Sequence, residues 1–252
     1  MNLAIIQARL NSTRFYGKVL QDICGKMLID HIVERIRAAT HVDKIVLATT
    51  ESPMDDSLVS HVEARGYCEI FRGSEEDVLD RFYHCALTRK PERLIRVTAD
   101  DPLKAPELID FAVSALLADH SLDYCSNTIL PTYPEGLDIE VFTMEALARA
   151  HRESRLPSER EHVTPYMWKH PNLFKTLNFE HSEDLSSWRW TVDRPDDLAF
   201  IRAIYAEFFH GSSVFSYLDV IDFLKRSPAM LEMNRGTIRN EGYVASIRRE
   251  ES

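Results

Sequence analysis

The four cysteines, Cys24, Cys68, Cys85 and Cys125, lie far apart with no C-x-x-C pair, so the chain lacks the spacing of a zinc knuckle or a disulfide framework. Reduced thiols are expected. No stretch approaches the roughly 18 apolar residues of a membrane span, and no cationic segment followed by a long apolar run opens the sequence. A cytoplasmic protein with no membrane partner is therefore expected. Basic charge is scarce as well: 30 Lys and Arg against 40 Asp and Glu leave a net charge of −10, which argues against the broad basic face of a nonspecific nucleic-acid binder. Neither G-x-x-x-x-G-K-[ST] nor G-x-G-x-x-G occurs, so the common glycine-rich phosphate loops are missing. What is present is 252 residues, 44% of them hydrophobic, enough to bury one large core without covalent staples.

Short apolar or β-rich runs end on polar or glycine residues at 2–8 (NLAIIQA), 44–50 (KIVLATT), 68–73 (CEIFRG), 93–99 (RLIRVTA) and 122–128 (LDYCSNT), and each predicts a strand. Between them Leu28, Ile32, Val33 and Ile36, then Leu58 and Val62, then Leu108, Phe111, Ala112 and Ala115 recur at helical spacing. Ser74 followed by Asp77 reads as a capping box before a helix holding Val78, Leu79, Phe82 and Tyr83. Strands and helices in this alternation predict a parallel sheet covered on both faces. After residue 130 the rhythm changes. Strands are expected within 132–142 (TYPEGLDIEVF), 174–180 (FKTLNFE) and 187–193 (SWRWTVD), with helical stretches at 143–155 and 158–169, so the sheet becomes mixed. Another helix should follow Asp193, with Pro195 in its first turn. Residues 1–229 are expected to form one domain with an extension at about 130–190, and 230–252 a polar, peripheral tail.

Ligands of a parallel α/β sheet bind beyond the carboxyl ends of the strands, and the loop after the first strand lies on that rim. It carries Arg9, Arg14 and Lys18 among small polar residues. Loop amides can cradle phosphate oxygens, while Arg supplies a planar fork of donors and Lys a mobile point charge. Three cations suit a polyphosphate; a solvated loop with incidental charges is the plainer alternative. Asp100 and Asp101 end the fourth strand and Asp193 ends SWRWTVD, on the same rim. Two such aspartates could hold the Mg²⁺ that accompanies a triphosphate. Taken singly, ordinary turn chemistry in DDP and capping of the next helix by Asp193 explain them as readily.

The stretch IIQARLNSTRFYGKVL resembles the nucleotide-binding signature of the CMP-sugar synthetases, which include CMP-Kdo synthetases and acylneuraminate cytidylyltransferases. With LATTESPMDD, FRGSEEDVLDRF, RVTADDPL, SNTILPTYPEGLDIEVF, LPSEREHVTPY, RWTVDRPDDL and RNEGY in order, the chain is closer still to SpsF-type cytidylyltransferases of spore-coat and other surface polysaccharides. The resemblance implies a Rossmann-like, GT-A-like nucleotidyltransferase fold, a three-layer α/β sandwich on a mostly parallel, mixed sheet. It implies CTP as substrate, Mg²⁺ on Asp100 and Asp193, and catalysis by Arg14, Lys18, Asp100 and Asp193. Ala8, Arg9, Ser12, Arg14, Lys18, Thr49, Ser74, Asp77 and Asp100 fall in its nucleotide-binding segments. Asn127, Tyr133, Glu135, Asp138, Glu140, Arg160, Glu161 and His162 fall in its acceptor segments. Phe15-Tyr16 stands where relatives usually carry Leu-Pro, and Asp101 at a position often held by another residue.

The chemistry so implied is in-line displacement at the α-phosphorus of CTP by an acceptor oxygen, with pyrophosphate leaving. The general base is open between a metal-bound hydroxide, Asp101 and His162, and Arg160 is the expected partner of an acceptor carboxylate. A 3-deoxy-ulosonic acid leads as acceptor, ahead of a phosphonate or another hydroxylated metabolite. Two other classes compete: a nucleotide-sugar glycosyltransferase, disfavoured because ADD is not D-x-D, and a noncatalytic binding protein, which has no need of both aspartates. Trp168, Trp188, Trp190, Phe174 and Phe179 form either local core or a pairing surface, and the resemblance favours a homodimer.

Overall fold

The computed structural model describes residues 1–12, 14–211 and 214–251. Along the chain run β1 (Asn2–Gln7), β2 (Asp22–Ile23), β3 (Lys26–Met27), α1 (Leu28–Arg37), β4 (Lys44–Thr50), α2 (Asp56–Arg65), β5 (Glu69–Gly73), α3 (Val78–Leu87), β6 (Arg93–Thr98) and α4 (Pro106–Ala118). There follow β7 (Tyr124–Ser126), β8 (Glu140–Thr143), α5 (Met144–Glu153), α6 (Pro157–His162), α7 (Pro165–Lys169), β9 (Thr176–Asn178), α8 (Pro195–Phe208), α9 (Tyr217–Arg226) and α10 (Glu241–Glu250).

Seven strands form one sheet in the order β5-β4-β1-β6-β8-β7-β9, while β2 and β3 make a small antiparallel ribbon. The pairs β5–β4, β4–β1 and β1–β6 are parallel; β8 runs antiparallel to both β6 and β7. Alternate residues of β1 explain the layering. Ala4 and Ile6 join Ile29, Ile32 and Val33 of α1, Leu58 and Val62 of α2, and Ile109 and Val113 of α4 in one core. Leu3 and Ile5 face the other core, with Leu79 and Phe82 of α3 and Leu147 of α5. Apolar residues on both faces are what a parallel sheet between two helical layers requires. The chain goes from β1 to β4 on one side and reaches β6 on the other, so the crevice opens at the carboxyl ends of β1 and β6.

Two expectations need correction. Residues 187–193 run beside other segments without joining the sheet, apart from a single bridge between Glu135 and Arg189. Their amides and carbonyls bond loops instead: Glu135 N to Trp188 O at 2.9 Å, Trp190 N to Glu135 O at 2.7 Å and Val192 N to Asp100 O at 2.8 Å. The helix expected at 158–169 is two short ones, broken at Val163, whose positive φ of 71° cannot continue a right-handed helix. The tail, expected at the periphery, is mostly exposed or half-buried and also packs against the body. Glu250 of α10 accepts from the amide and hydroxyl of Ser158, and Asn234 is buried against Arg189 and Asp197. Helix α9 was not among the expected elements; Val220, Ile221 and Leu224 form its buried face. Of the five aromatics offered as a pairing surface, Trp190, Phe174 and Phe179 are core.

Gly136 fixes how residues 135–138 approach residues 190–191. Its φ of +103° is left-handed, and a Cβ there would lie 2.8 Å from the Trp190 carbonyl carbon and 2.9 Å from Thr191 N. Gly136→Ala should therefore cost more than the about 1–3 kcal/mol of a strained backbone alone, read as a lower urea midpoint. An unchanged midpoint would show that the two segments can separate freely.

Candidate active site

The loop after β1 is pinned before it reaches the rim. Asp55, buried, accepts from Leu10 N at 2.7 Å, Thr49 Oγ1 at 2.9 Å and Thr50 N at 3.2 Å. Phe15 packs on the core beneath the loop and Tyr16 stays exposed. Gly17, at φ 66°, then starts the short 3-10 turn Lys18–Leu20 and turns Lys18 inward.

Lys18 Nζ lies 2.9 Å from Asp100 Oδ2 and 2.7 Å from Asp193 Oδ1, and Arg14 Nη2 donates to the same Asp193 oxygen at 2.6 Å. Burial disfavours both charged partners, yet Lys18 and Arg14 outweigh it and hold the Asp193 carboxyl well below the usual range. Against its own desolvation, Lys18 is raised by Asp100 and Asp193. The helix-capping alternative for Asp193 fails: Asp197 accepts from Asp193 N and Arg194 N, both at 2.9 Å, and closes the start of α8. Asp193 is left with both oxygens for cations, because Oδ2 accepts from Arg189 Nη2 at 2.8 Å.

Arg189 is the buried hub behind this group. Its guanidinium also donates to Glu135 Oε2 at 2.6 Å and to Asp197 Oδ1 at 3.0 Å, and its side chain is 5% exposed.

In front lies a cavity of ≈ 240 Å³ bounded by the ends of β1 and β6 (Gln7, Thr98), by Arg14, Asp100 and Asp193, and by residues of the 128–140 loop, α7 and the tail. Arg96 reaches it from inside β6, donating to Gln7 Oε1 at 3.1 Å and to Glu140. Glu140 also accepts from Tyr124 Oη at 2.8 Å and from Thr164; burial alone would raise its carboxyl, but Arg96 and these hydroxyls lower it. Asp101 is buried on Lys104 Nζ at 2.8 Å and Thr98 Oγ1 at 2.7 Å, and desolvation raises it. Burial pushes Asp138 up to about 7 even though Arg239 donates to it, and burial takes His162 down to about 4.

The expected site residues divide clearly. Arg14, Asp100, Asp193, Glu135, Asp138, Glu140 and His162 line the cavity, with Lys18 directly behind two of them. Others lie outside the cavity lining and bond within the fold. Thr49 holds Asp55; Ser74 accepts from Asp77 N at 3.0 Å; Asp77 caps α3 through Asp80 N at 2.9 Å. Asn127 is fully buried between Leu137 O and Ile139 N, and Tyr133 packs against Phe179. Ala8 is buried at the end of β1, Ser12 turns onto Leu10 O, and Arg9 pairs loosely with Glu75 at 3.6 Å. Arg160, expected to face an acceptor, instead donates to Asp77 Oδ2 at 2.6 Å and to the carbonyls of His151 and Ser154. Glu161 accepts from Ser246 and Arg249. Successive helical residues point different ways, and of 160–162 only His162 turns to the cavity.

Two contributors escaped the sequence reading. Arg96 was visible as a cation in the middle of a largely apolar strand run that also opens on Arg93. Asn240, Glu241, Gly242 and Tyr243 of RNEGY line the cavity from the tail. That segment is fastened by Asn240 N to Glu135 Oε1 at 2.8 Å, by Arg239 to Asp138, and by Arg194 to Glu241 at 2.9 Å.

With this geometry in place, residues 3–209 match the family model described as cytidylyltransferase. The chain belongs to the cytidylyltransferase family. It is a nucleotidyltransferase enzyme, similar to the spore coat polysaccharide biosynthesis protein SpsF of Bacillus subtilis, at 36% identity over 90% of this chain and 95% of that protein. A cytidylyltransferase from Leptospira borgpetersenii superposes with a TM-score of 0.88 at 29% identity, covering 94% of this chain and 98% of that one. The CMP:2-keto-3-deoxy-manno-octonic acid synthetase complexed with CTP shares the fold, with a TM-score of 0.64 at 20% identity over 82% of this chain and 98% of its own. The family model matches up to residue 209, so the RNEGY wall of the cavity lies beyond the residues that it matches.

Arg189→Met should destabilise the enzyme by about 3–5 kcal/mol, the cost of stranding buried carboxylates. Burial already raises the Glu135 carboxyl and Arg189 opposes that rise, so losing the guanidinium raises it further, a penalty present at neutral pH and relieved as falling pH protonates it. The gap in urea midpoint between variant and wild type should therefore narrow from pH 7 to pH 5; a gap that widens would remove Arg189 as the hub.

Proposed function

We propose that this cytidylyltransferase moves CMP from CTP to a hydroxyl of an acidic sugar of the 3-deoxy-ulosonic type, releasing pyrophosphate, with Mg²⁺ as its metal. The observation that carries the reading is the meeting of Arg14 and Lys18 with Asp100 and Asp193 at the mouth of a cavity whose far wall bears Arg96, His162 and Tyr243. Two hard carboxylates from separate segments converge on a single cationic point, now the Lys18 ammonium, and such an all-oxygen donor pair suits Mg²⁺. Asp100 and Asp193 would hold the ion. Bound there, it would neutralise phosphate charge.

The chain's own residues do the rest. Arg14 and Lys18 bind the triphosphate and carry the charge that builds on the departing pyrophosphate as the acceptor oxygen bonds to the α-phosphorus and the bond to the β-phosphate breaks. Arg96 replaces Arg160 as partner of the acceptor carboxylate, since its fork lies in the cavity. Glu135, Glu140 and Glu241 accept from sugar hydroxyls, and Trp168 and Tyr243, 5.9 Å apart, offer a ring surface to its carbon face. Asp138, though Arg239 donates to its Oδ1, is the base we favour: near neutrality it can take the acceptor's proton, whereas His162 is too weakly basic and Asp101 is buried on both Lys104 and Thr98.

Reduced thiols and CTP use fit a cytoplasmic enzyme supplying a surface glycan. A homodimer fits the exposed apolar group Phe111, Leu130 and Leu177 around the edge strand β9.

Incubation with each NTP, Mg²⁺ and a panel of sugar acids should release pyrophosphate with CTP. Asp100→Asn should remove most turnover, Lys18→Ala should cost about 2–4 kcal/mol in the barrier, and Tyr243→Ala should raise the acceptor KM while leaving that for CTP. Pyrophosphate release that ignores Asp100→Asn and Lys18→Ala would sink the site assignment. In the pH profile, kcat/KM should rise to a plateau above about 7 as Asp138 ionises. Asp138→Asn should lower it and erase that inflection; an unaltered inflection assigns the base elsewhere.

A further inference from the structure

Away from the cavity, on the outer side of α3 and α5, Asp80, His84 and His151 bring one carboxylate oxygen and two imidazole nitrogens within 4.8 Å of one another. We propose that these three residues bind one borderline divalent transition ion of the Zn²⁺, Co²⁺ or Ni²⁺ type, clipping α3 to α5.

The distances suit coordination. Bonds of about 2.0–2.2 Å place neighbouring ligand atoms of a tetrahedron or octahedron roughly 3.0–3.5 Å apart. Asp80 Oδ1 is already 2.9 Å from His151 Nε2 and 3.4 Å from His84 Nε2. Closing the remaining edge needs only a small turn of His84, whose side chain is half exposed. Asp80 and His84 stand one helical turn apart on α3 and share a face.

The supports are rigid. Tyr83 stacks on the His151 ring at 4.1 Å with planes 10° apart. Arg160 ties the two ligand-bearing helices together, since its Nε donates to Asp77 Oδ2, the cap of α3, while its Nη1 donates to the carbonyl of His151 on α5. This gives Arg160 and Asp77 a role that the acceptor and nucleotide expectations did not. Two imidazoles and one carboxylate also differ in kind from the all-oxygen pair Asp100 and Asp193: nitrogen ligands select borderline transition ions over Mg²⁺. Water would complete the solvent side.

The test is calorimetric titration of the full chain with Zn²⁺ in excess Mg²⁺, beside a melting curve with and without Zn²⁺. Wild type should bind one Zn²⁺ per chain and melt higher with it, because an ion that binds the folded state stabilises it by mass action. His84→Ala, at an exposed position that should fold normally, should weaken binding at least tenfold and lose the melting shift. Asp100→Asn and Cys24→Ser should retain both. Wild type that takes up no stoichiometric Zn²⁺ at micromolar concentration, or His84→Ala that binds as wild type does, overturns the proposal. Loss of the ion in Asp100→Asn with retention in His84→Ala would place it at the cavity and equally overturn it.

Discussion

The buried guanidinium of Arg189 is the constraint on which the site's geometry depends. It gathers Glu135, Asp193 and Asp197 from three segments that share no strand ladder, and so stands in for the missing β-structure of residues 187–193. Three carboxylates around one guanidinium leave surplus negative charge in a place with little water, and that surplus needs cations from elsewhere. Arg14 and Lys18 meet it at Asp193. The opening loop thus sits over the aspartates because buried charge demands it there. On the proposed function, a triphosphate competes for those same two cations, and the carboxylates it uncovers are then free for a divalent ion. Nucleotide and metal are coupled through charge balance alone.

Much of the architecture was legible because the parallel half of the sheet obeys local rules. Strands β1, β4, β5 and β6 are apolar runs ended by polar residues, and helices α1 to α4 carry one apolar face each. The same rules misread SWRWTVD, whose alternation suits a strand but whose outward partners are a buried arginine network. They also joined α6 to α7, since periodicity does not register the left-handed turn at Val163. The tail's polar composition does not announce its anchors, yet Arg239, the Asn240 amide and Asn234 are what buried carboxylates and carbonyls call for.

The site was legible in part. Arg14, Lys18, Asp100 and Asp193 meet as their rim positions suggested. On the acceptor side the motif LPSEREHVTPY identified a segment without the direction of its side chains. Arg160 turns to cap carbonyls and pair with Asp77, while Arg96, in a strand read only for its apolar residues, faces the cavity. Orientation is decided by tertiary partners that adjacent residues do not announce.

The tail's place in the cavity wall has a temporal side. Arg14 meets Asp193 across 179 positions, and Arg239 meets Asp138 across 101. Domains fold from the amino end as the ribosome delivers them, so the early strands and their loop cations can be in place while the last wall is still unmade. A chain halted between Asp193 and residues 239–243 has the cations and aspartates of the cleft but lacks the part of the wall that Asn240 to Tyr243 supply. Translation itself therefore acts as the final assembly step, and fragments ending early hold the cations of the site without its enclosure.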